Sequence, residues 1–129
     1  MTRCDLLTDG ILLEEDTDSE TSPPFDVIIS CLCLEVAPVD VKGYASILKR
    51  ISRLLRSGGG LLLAGFLEGG LWKTGSCRFP QIKVTQNDVI QALLNAGFGK
   101  IEMKTMGKEG LKDIDFEYDK LYCLVAEKL

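Results

Sequence analysis

Cys31, Cys33 and Glu35 alternate in the word SCLCLE, residues 30–35, and this is where the chain first offers side chains that could do chemistry. A C-x-C pair is a start on a zinc site, but zinc needs about four ligands. The chain contains no histidine at all. The thiols are therefore expected to be small buried apolar groups rather than ligands. The absence of histidine also excludes Ser-His and Cys-His nucleophilic pairs. Glu35 on its own reads as a solvated acid or a helix cap, and no pair of carboxylates is placed for general acid–base work. The loop itself is better situated than its side chains. It follows a predicted strand, and open α/β sheets bind ligands at the carboxyl ends of strands. Either the loop meets a ligand with its backbone, or the strand simply continues through the C-x-C.

Two other features invite a site. Ser57-Gly58-Gly59-Gly60 resembles a phosphate cradle in composition. Cradles lie after a strand and before a helix, where free N–H groups face the anion. Here the glycines follow a helical pattern and precede an apolar run, so they are read as a helix stop. Trp72 is the only tryptophan and sits in an aperiodic stretch. It could stack on a flat substrate or anchor the loop by folding back.

The elements that must position these residues follow from hydrophobic period. Residues 25–30, FDVIIS, form a short β-branched run after Pro24 and predict a buried strand. Val41, Tyr44, Ile47, Leu48, Ile51, Leu54 and Leu55 then recur at helical spacing. Asp40 is placed to cap that helix. Arg50, Arg53 and Arg56 are expected on its solvated face. Residues 61–64 predict the next buried strand. Residues 66–81 show no period and contain Gly69, Gly70, Gly75 and Pro80. They predict a long loop, a kind of segment that often carries function. Thr85 and Asp88 predict a capping box for a second helix over Val89, Ile90, Leu93 and Leu94. Gly97 is expected to stop that helix in a left-handed conformation. Residues 100–106 and 121–126 complete the pattern as strands, with a polar loop at 107–117. Residues 14–24 form an acidic, proline-ended loop.

The order strand, helix, strand, helix, strand, strand predicts an α/β fold. Its sheet is expected to be mostly parallel, built on right-handed crossovers, with a closing antiparallel pair. No phosphate-binding turn occurs in the first crossover, and only 24 residues precede Phe25. The layout therefore reads as the second half of a Rossmann-like sheet.

Composition bounds the partners. A chain of 129 residues suits one small domain. Its formal charge of −4 and lack of a basic run argue against nucleic acid. No apolar run reaches the ~20 residues of a membrane span. Five cysteines without a recognisable leader suggest reduced thiols and a cytoplasmic setting.

With the elements in order, local words resemble the nicotinamide, phenylethanolamine and indolethylamine N-methyltransferases, a family of class I S-adenosylmethionine-dependent enzymes. These words are Cys4-Asp5, SCLCLE at 30–35, LLRSGG at 54–59, and Gly75 with Arg78-Phe79. NAGF at 95–98 and LVA at 124–126 continue the likeness, which covers nearly the whole chain. The resemblance implies S-adenosylmethionine as cofactor and a small amine or pyridine-type compound as methyl acceptor. It implies that Asp5 contacts the adenine and that Leu6 offers backbone to the same ring. It places Cys31, where relatives usually carry Thr, and Ala37 near the cofactor. It puts Trp72 at the aromatic position of the loop that closes over the acceptor. Relatives that methylate nicotinamide carry an aspartate at the end of the second strand. Gly65 stands there instead, so that charge is missing.

The Gly-rich turn, the ribose-binding acid and the N-terminal lid of the family have no counterpart in this sequence. Two readings follow. One is an enzyme whose site is completed by further polypeptide. The other is a truncated, inactive homologue that acts as a binding module. In the second, the strand at 25–30 has an unpaired apolar edge through which the isolated chain is expected to associate.

Overall fold

The computed structural model describes residues 3–12, 23–107 and 120–129. Most of the acidic loop at 14–24 and of the polar loop at 107–117 lies outside the described residues.

Among the described residues six strands and two helices form in the order β1 (Phe25–Cys31), α1 (Val41–Leu54), β2 (Leu55–Leu67), β3 (Leu71–Thr74), β4 (Cys77–Pro80), α2 (Gln86–Asn95), β5 (Phe98–Gly107), β6 (Lys120–Lys128). The main sheet has the order β1-β2-β6-β5, and β3-β4 stand apart as a hairpin. β1 runs parallel to β2, whereas β6 pairs antiparallel with both β2 and β5. Thus β1, β2 and β5 share one direction and β6 alone is reversed between them. The expected parallel character holds for strand direction, but only one of the three pairings is parallel. The reason is connectivity. No helix lies between β5 and β6, so β6 returns antiparallel and enters the gap between β2 and β5.

The helix signals act as their spacing requires. Asp40 accepts a 2.7 Å hydrogen bond from the Gly43 amide at the start of α1. Thr85 and Asp88 form the reciprocal capping box of α2, at 2.9 and 3.1 Å. Gly97, with φ of 90°, stops α2 two residues after Asn95. Tyr44, Ile47, Leu48 and Ile51 of α1 and Val89, Ala92 and Leu93 of α2 are buried together over one sheet face. That face presents Leu61, Leu63, Tyr122, Leu124 and Ala126, all buried.

Three expectations are corrected. The glycine run does not stop α1. The helix ends at Leu54, Leu55 is already extended, and Ser57–Gly60 lies within the first part of β2. The glycines serve a bulge. The register with β1 jumps from Phe25↔Leu55 to Val27↔Gly60, so β2 spends five residues against two. Gly58 has φ of 77°, and a Cβ on Gly59 would lie 2.8 Å from the Arg56 carbonyl. Arg56 accordingly leaves the helix face and pairs with Asp26 of β1. Finally, residues 66–81 are not a plain loop. They contain the β3-β4 hairpin, which turns at Gly75 with φ of 61°.

The opposite sheet face is not covered by either helix. Val27 is 59 % and Ile29 66 % exposed, and Val125 of β6 is 45 % exposed. Among the described residues β1 pairs only with β2, so its outer edge is free. Sheets with parallel strands are usually covered on both faces.

Candidate functional site

The carboxyl ends of β1 and β2 lie side by side, with Cys31 opposite Ala64. Both strands leave the sheet through left-handed residues, Leu32 at φ 57° and Glu68 at φ 53°. Such backbone is costly for residues other than glycine and clusters at functional sites. The Leu32 amide is held by the Ala64 carbonyl at 2.9 Å. The chain after the hairpin then straps both exits. The Ile82 amide donates to the Glu35 carbonyl at 2.9 Å, and the Glu68 amide donates to the Val84 carbonyl at 2.9 Å.

Glu35 is the centre of this arrangement, and its expected solvation is wrong. It is only 2 % exposed. The loop after β1 turns inward because Leu34 beside it is buried in the core, and Gly65 leaves room for the acid. Gly65 pairs directly with Tyr122 across β2 and β6. The Tyr122 hydroxyl donates to Glu35 Oε1 at 2.9 Å. The Tyr44 hydroxyl lies 3.1 Å from the Tyr122 hydroxyl. Because Tyr122 spends its proton on the carboxylate, Tyr44 is the donor of that second bond. The result is a directed chain from α1 through β6 to the loop after β1.

Burial dominates the electrostatics. It pushes the Glu35 carboxyl above its ordinary value of 4.5, against the opposing pull of Tyr122 and its own backbone amide. Burial likewise raises both tyrosines, and the nearby Glu35 charge raises them further. Ionising Glu35 therefore opposes folding. Its contribution to stability is fully present below about 4.5 and is lost as pH rises through the raised folded value.

The other expected site residues are distributed less tightly. Cys31 ends β1 and is exposed, not buried; Cys33 is half-buried and lies 3.0 Å from the Ser30 hydroxyl. The strand stops at Cys31, and its last side chain falls on the uncovered face with Val27 and Ile29, which leaves that thiol in solvent. Ala37 packs against the core just beyond Glu35. Asp5 is exposed, and its carboxylate accepts from the Leu7 amide at 2.9 Å in a local turn. The Leu6 carbonyl is held by Arg50 of α1 at 2.9 Å, and Asp9 pairs with Arg53. Arg50 and Arg53 thus fasten the N-terminal segment rather than only facing solvent. Trp72 lies in β3, opposite Phe79. Gln81 Nε2, one residue before the strap to Glu35, is buried without a hydrogen-bond partner among the described residues. Among the described residues no cluster of His, Cys, Asp or Glu could hold a metal, and no helix is long and apolar enough to cross a membrane.

Glu35, Tyr122 and Tyr44 were the part of the site that sequence reading missed. The word SCLCLE marked the loop, and the glycine at 65 was the signal that something else fills the strand end.

Comparison with known proteins bears on this geometry. Phenylethanolamine N-methyltransferase of Macaca mulatta is 34 % identical over 69 % of the chain and 32 % of its own length. The Sus scrofa enzyme is 35 % identical over 69 % of the chain and 31 % of its length. Nicotinamide N-methyltransferase of Homo sapiens is 29 % identical over 83 % of the chain and 40 % of its length. The chain thus spans about a third of the length of these curated relatives. Among solved structures, an S-adenosylmethionine-dependent methyltransferase from Methanosarcina mazei superposes with a TM-score of 0.62. It is 18 % identical over 84 % of this chain and 61 % of that one. The 1,6-didemethyltoxoflavin-N1-methyltransferase of Burkholderia thailandensis gives 0.59 at 20 % identity, over 89 % of this chain and 47 % of that one. These two likenesses establish a partial Rossmann-like methyltransferase fold. The profile of the NNMT/PNMT/TEMT family matches residues 2–129, and the chain belongs to that family.

Proposed function

We propose that this chain forms the acceptor side, and part of the cofactor side, of an S-adenosylmethionine-dependent N-methyltransferase acting on a small amine or pyridine-type compound. The observation that carries this reading is the buried Glu35 carboxyl over Gly65, at the joined carboxyl ends of β1 and β2. The charge that Gly65 cannot supply is present on the neighbouring loop. A Cβ at position 65 would lie 2.6 Å from Glu35 Cδ, so a strand-end aspartate and this carboxyl could not share the space.

The left-handed exits at Leu32 and Glu68, with Cys31 exposed between Ser30 and Leu32, suit a large ligand approached by backbone. Asp5, Leu6, Cys31 and Ala37 are the residues that would hold the cofactor. When bound, it supplies the methyl group as a sulfonium. Glu35 would accept a hydrogen bond from an acceptor amine in its neutral form and orient the nitrogen lone pair toward the methyl. The proton of the methylated ammonium product would pass to solvent, and Gln81 would offer an unmet amide donor to a polar substituent. Trp72 and the hairpin would limit water. The rate gain comes from orientation and exclusion of water, because no side chain here is set up for nucleophilic chemistry. The free thiols suit a reducing compartment such as the cytoplasm.

Transfer of labelled methyl from S-adenosylmethionine to phenylethanolamine and nicotinamide, by the natural polypeptide that contains this sequence, tests the reading. Labelled product is expected, falling at least tenfold in Glu35→Gln, in line with loss of a positioned charge. No product from any amine, or an unimpaired Glu35→Gln, contradicts it.

The free β1 edge and uncovered face favour a second property, self-association of the 129-residue chain. Sedimentation is expected to show concentration-dependent association, and Ile29→Lys is expected to return the chain to monomer. Ile29 is 66 % exposed, so the fold should tolerate the change. A concentration-independent monomer for the parent chain would exclude this.

A further inference from the structure

Methyl transfer as proposed gives Glu35 a role but none to its two tyrosine partners. A buried Leu or Phe would fill the core at position 44 or 122 with no polar group to satisfy. Instead two hydroxyls are buried from two different elements, 78 residues apart, and both point along one hydrogen-bonded line that ends on Oε1. Both residues are fully buried. Such a chain is costly unless every member is satisfied, and satisfied networks fix a unique arrangement. Here the last acceptor is the only buried carboxylate among the described residues.

We propose that Tyr122 and Tyr44 are positioning residues for Glu35, holding its carboxyl in one pose over Gly65 at the strand ends so that the acid is fixed before an acceptor amine binds. The use of that pose rests on the methyl-transfer reading; the pose itself does not. Geometry orders the two contributions. Tyr122 touches the carboxyl, whereas Tyr44 reaches it only through Tyr122. The groups acting on Glu35 are therefore Tyr122 from β6 and its own backbone amide, with Tyr44 of α1 behind; β2 contributes Gly65, which does not titrate.

The test is a carbon-13 titration of glutamate side-chain carboxyls in the 129-residue chain. The Glu35 signal is identified by its loss in Glu35→Gln, which keeps an acceptor for Tyr122. Tyr122→Phe removes a donor to the carboxylate, so the carboxyl is expected to hold its proton about tenfold more tightly, the size of one charge-assisted hydrogen bond. Tyr44→Phe is expected to move it the same way by a smaller factor. In the parent chain a proton–proton contact between the Glu35 side chain and Gly65 is expected, weakened in Tyr122→Phe. If Tyr122→Phe does not fold, Tyr44→Phe decides alone, because its hydroxyl makes no contact with Glu35. An unchanged Glu35 titration in the folded variants, or an equal Gly65 contact in all of them, overturns the proposal. No cofactor or amine is present in these experiments. Failure here leaves methyl transfer standing, and absence of methyl transfer leaves this result standing.

Discussion

Gly65→Ala is expected to destabilise the domain by about 3 kcal/mol or more, the sum of an overpacked core and a broken buried hydrogen bond. The added Cβ would lie 2.6 Å from Glu35 Cδ and 2.9 Å from Oε2. The end of a glutamate side chain would ordinarily swing aside at little cost. This one is 2 % exposed and bonded to Tyr122, so movement strands a hydroxyl and a carboxylate in the core. The backbone cannot yield either, since β2 is paired on both sides, to β1 at Ala64 and to β6 at Gly65. Urea denaturation at neutral pH measures the loss. In the double variant with Glu35→Ala the methyl group enters vacated space, and the two changes should therefore cost less together than their sum, by at least about 1 kcal/mol. A single Gly65→Ala within about 0.5 kcal/mol of the parent would mean that the carboxyl is not pinned.

That prediction depends on residues far apart in sequence, which is why the site was only partly legible. Local rules carried the helices. Asp40, the Thr85–Asp88 box and Gly97 each act within one turn, and their spacing alone fixes what they do. The helix stop failed because the glycines at 58–60 answer to β1, not to α1. Their purpose is the register jump beside Asp26, which no local pattern contains. The β3-β4 hairpin failed for a related reason: LWKT and CRFP lack alternation, and the turn at Gly75 alone marks it. Glu35 is the extreme case. Its burial requires a gap at Gly65 and a hydroxyl at Tyr122, 87 residues away. A carboxylate among apolar neighbours is a poor sequence signal because its partners decide whether it is buried or solvated. The place of the loop after β1, at the carboxyl edge of the sheet, was nevertheless recognisable, since it follows from topology.

The second large effect concerns the cofactor. Tight binding of a ligand of this size requires a pocket that covers most of its surface. Of the residues expected to hold it, Cys31 and Ala37 flank the β1 exit, whereas Asp5 and Leu6 are fastened beside α1. Beside them, among the described residues, β1 presents a free edge and one sheet face has no covering layer. Those surfaces adjoin the same strand ends, and we propose that further polypeptide completes the pocket beyond β1. On this account the 129-residue chain holds the acceptor acid but too little of the cofactor's surface for useful affinity. Calorimetric titration of S-adenosylmethionine into the isolated chain tests this most directly. No saturable heat is expected at micromolar cofactor; saturable one-to-one binding in that range would show a complete pocket and contradict the account.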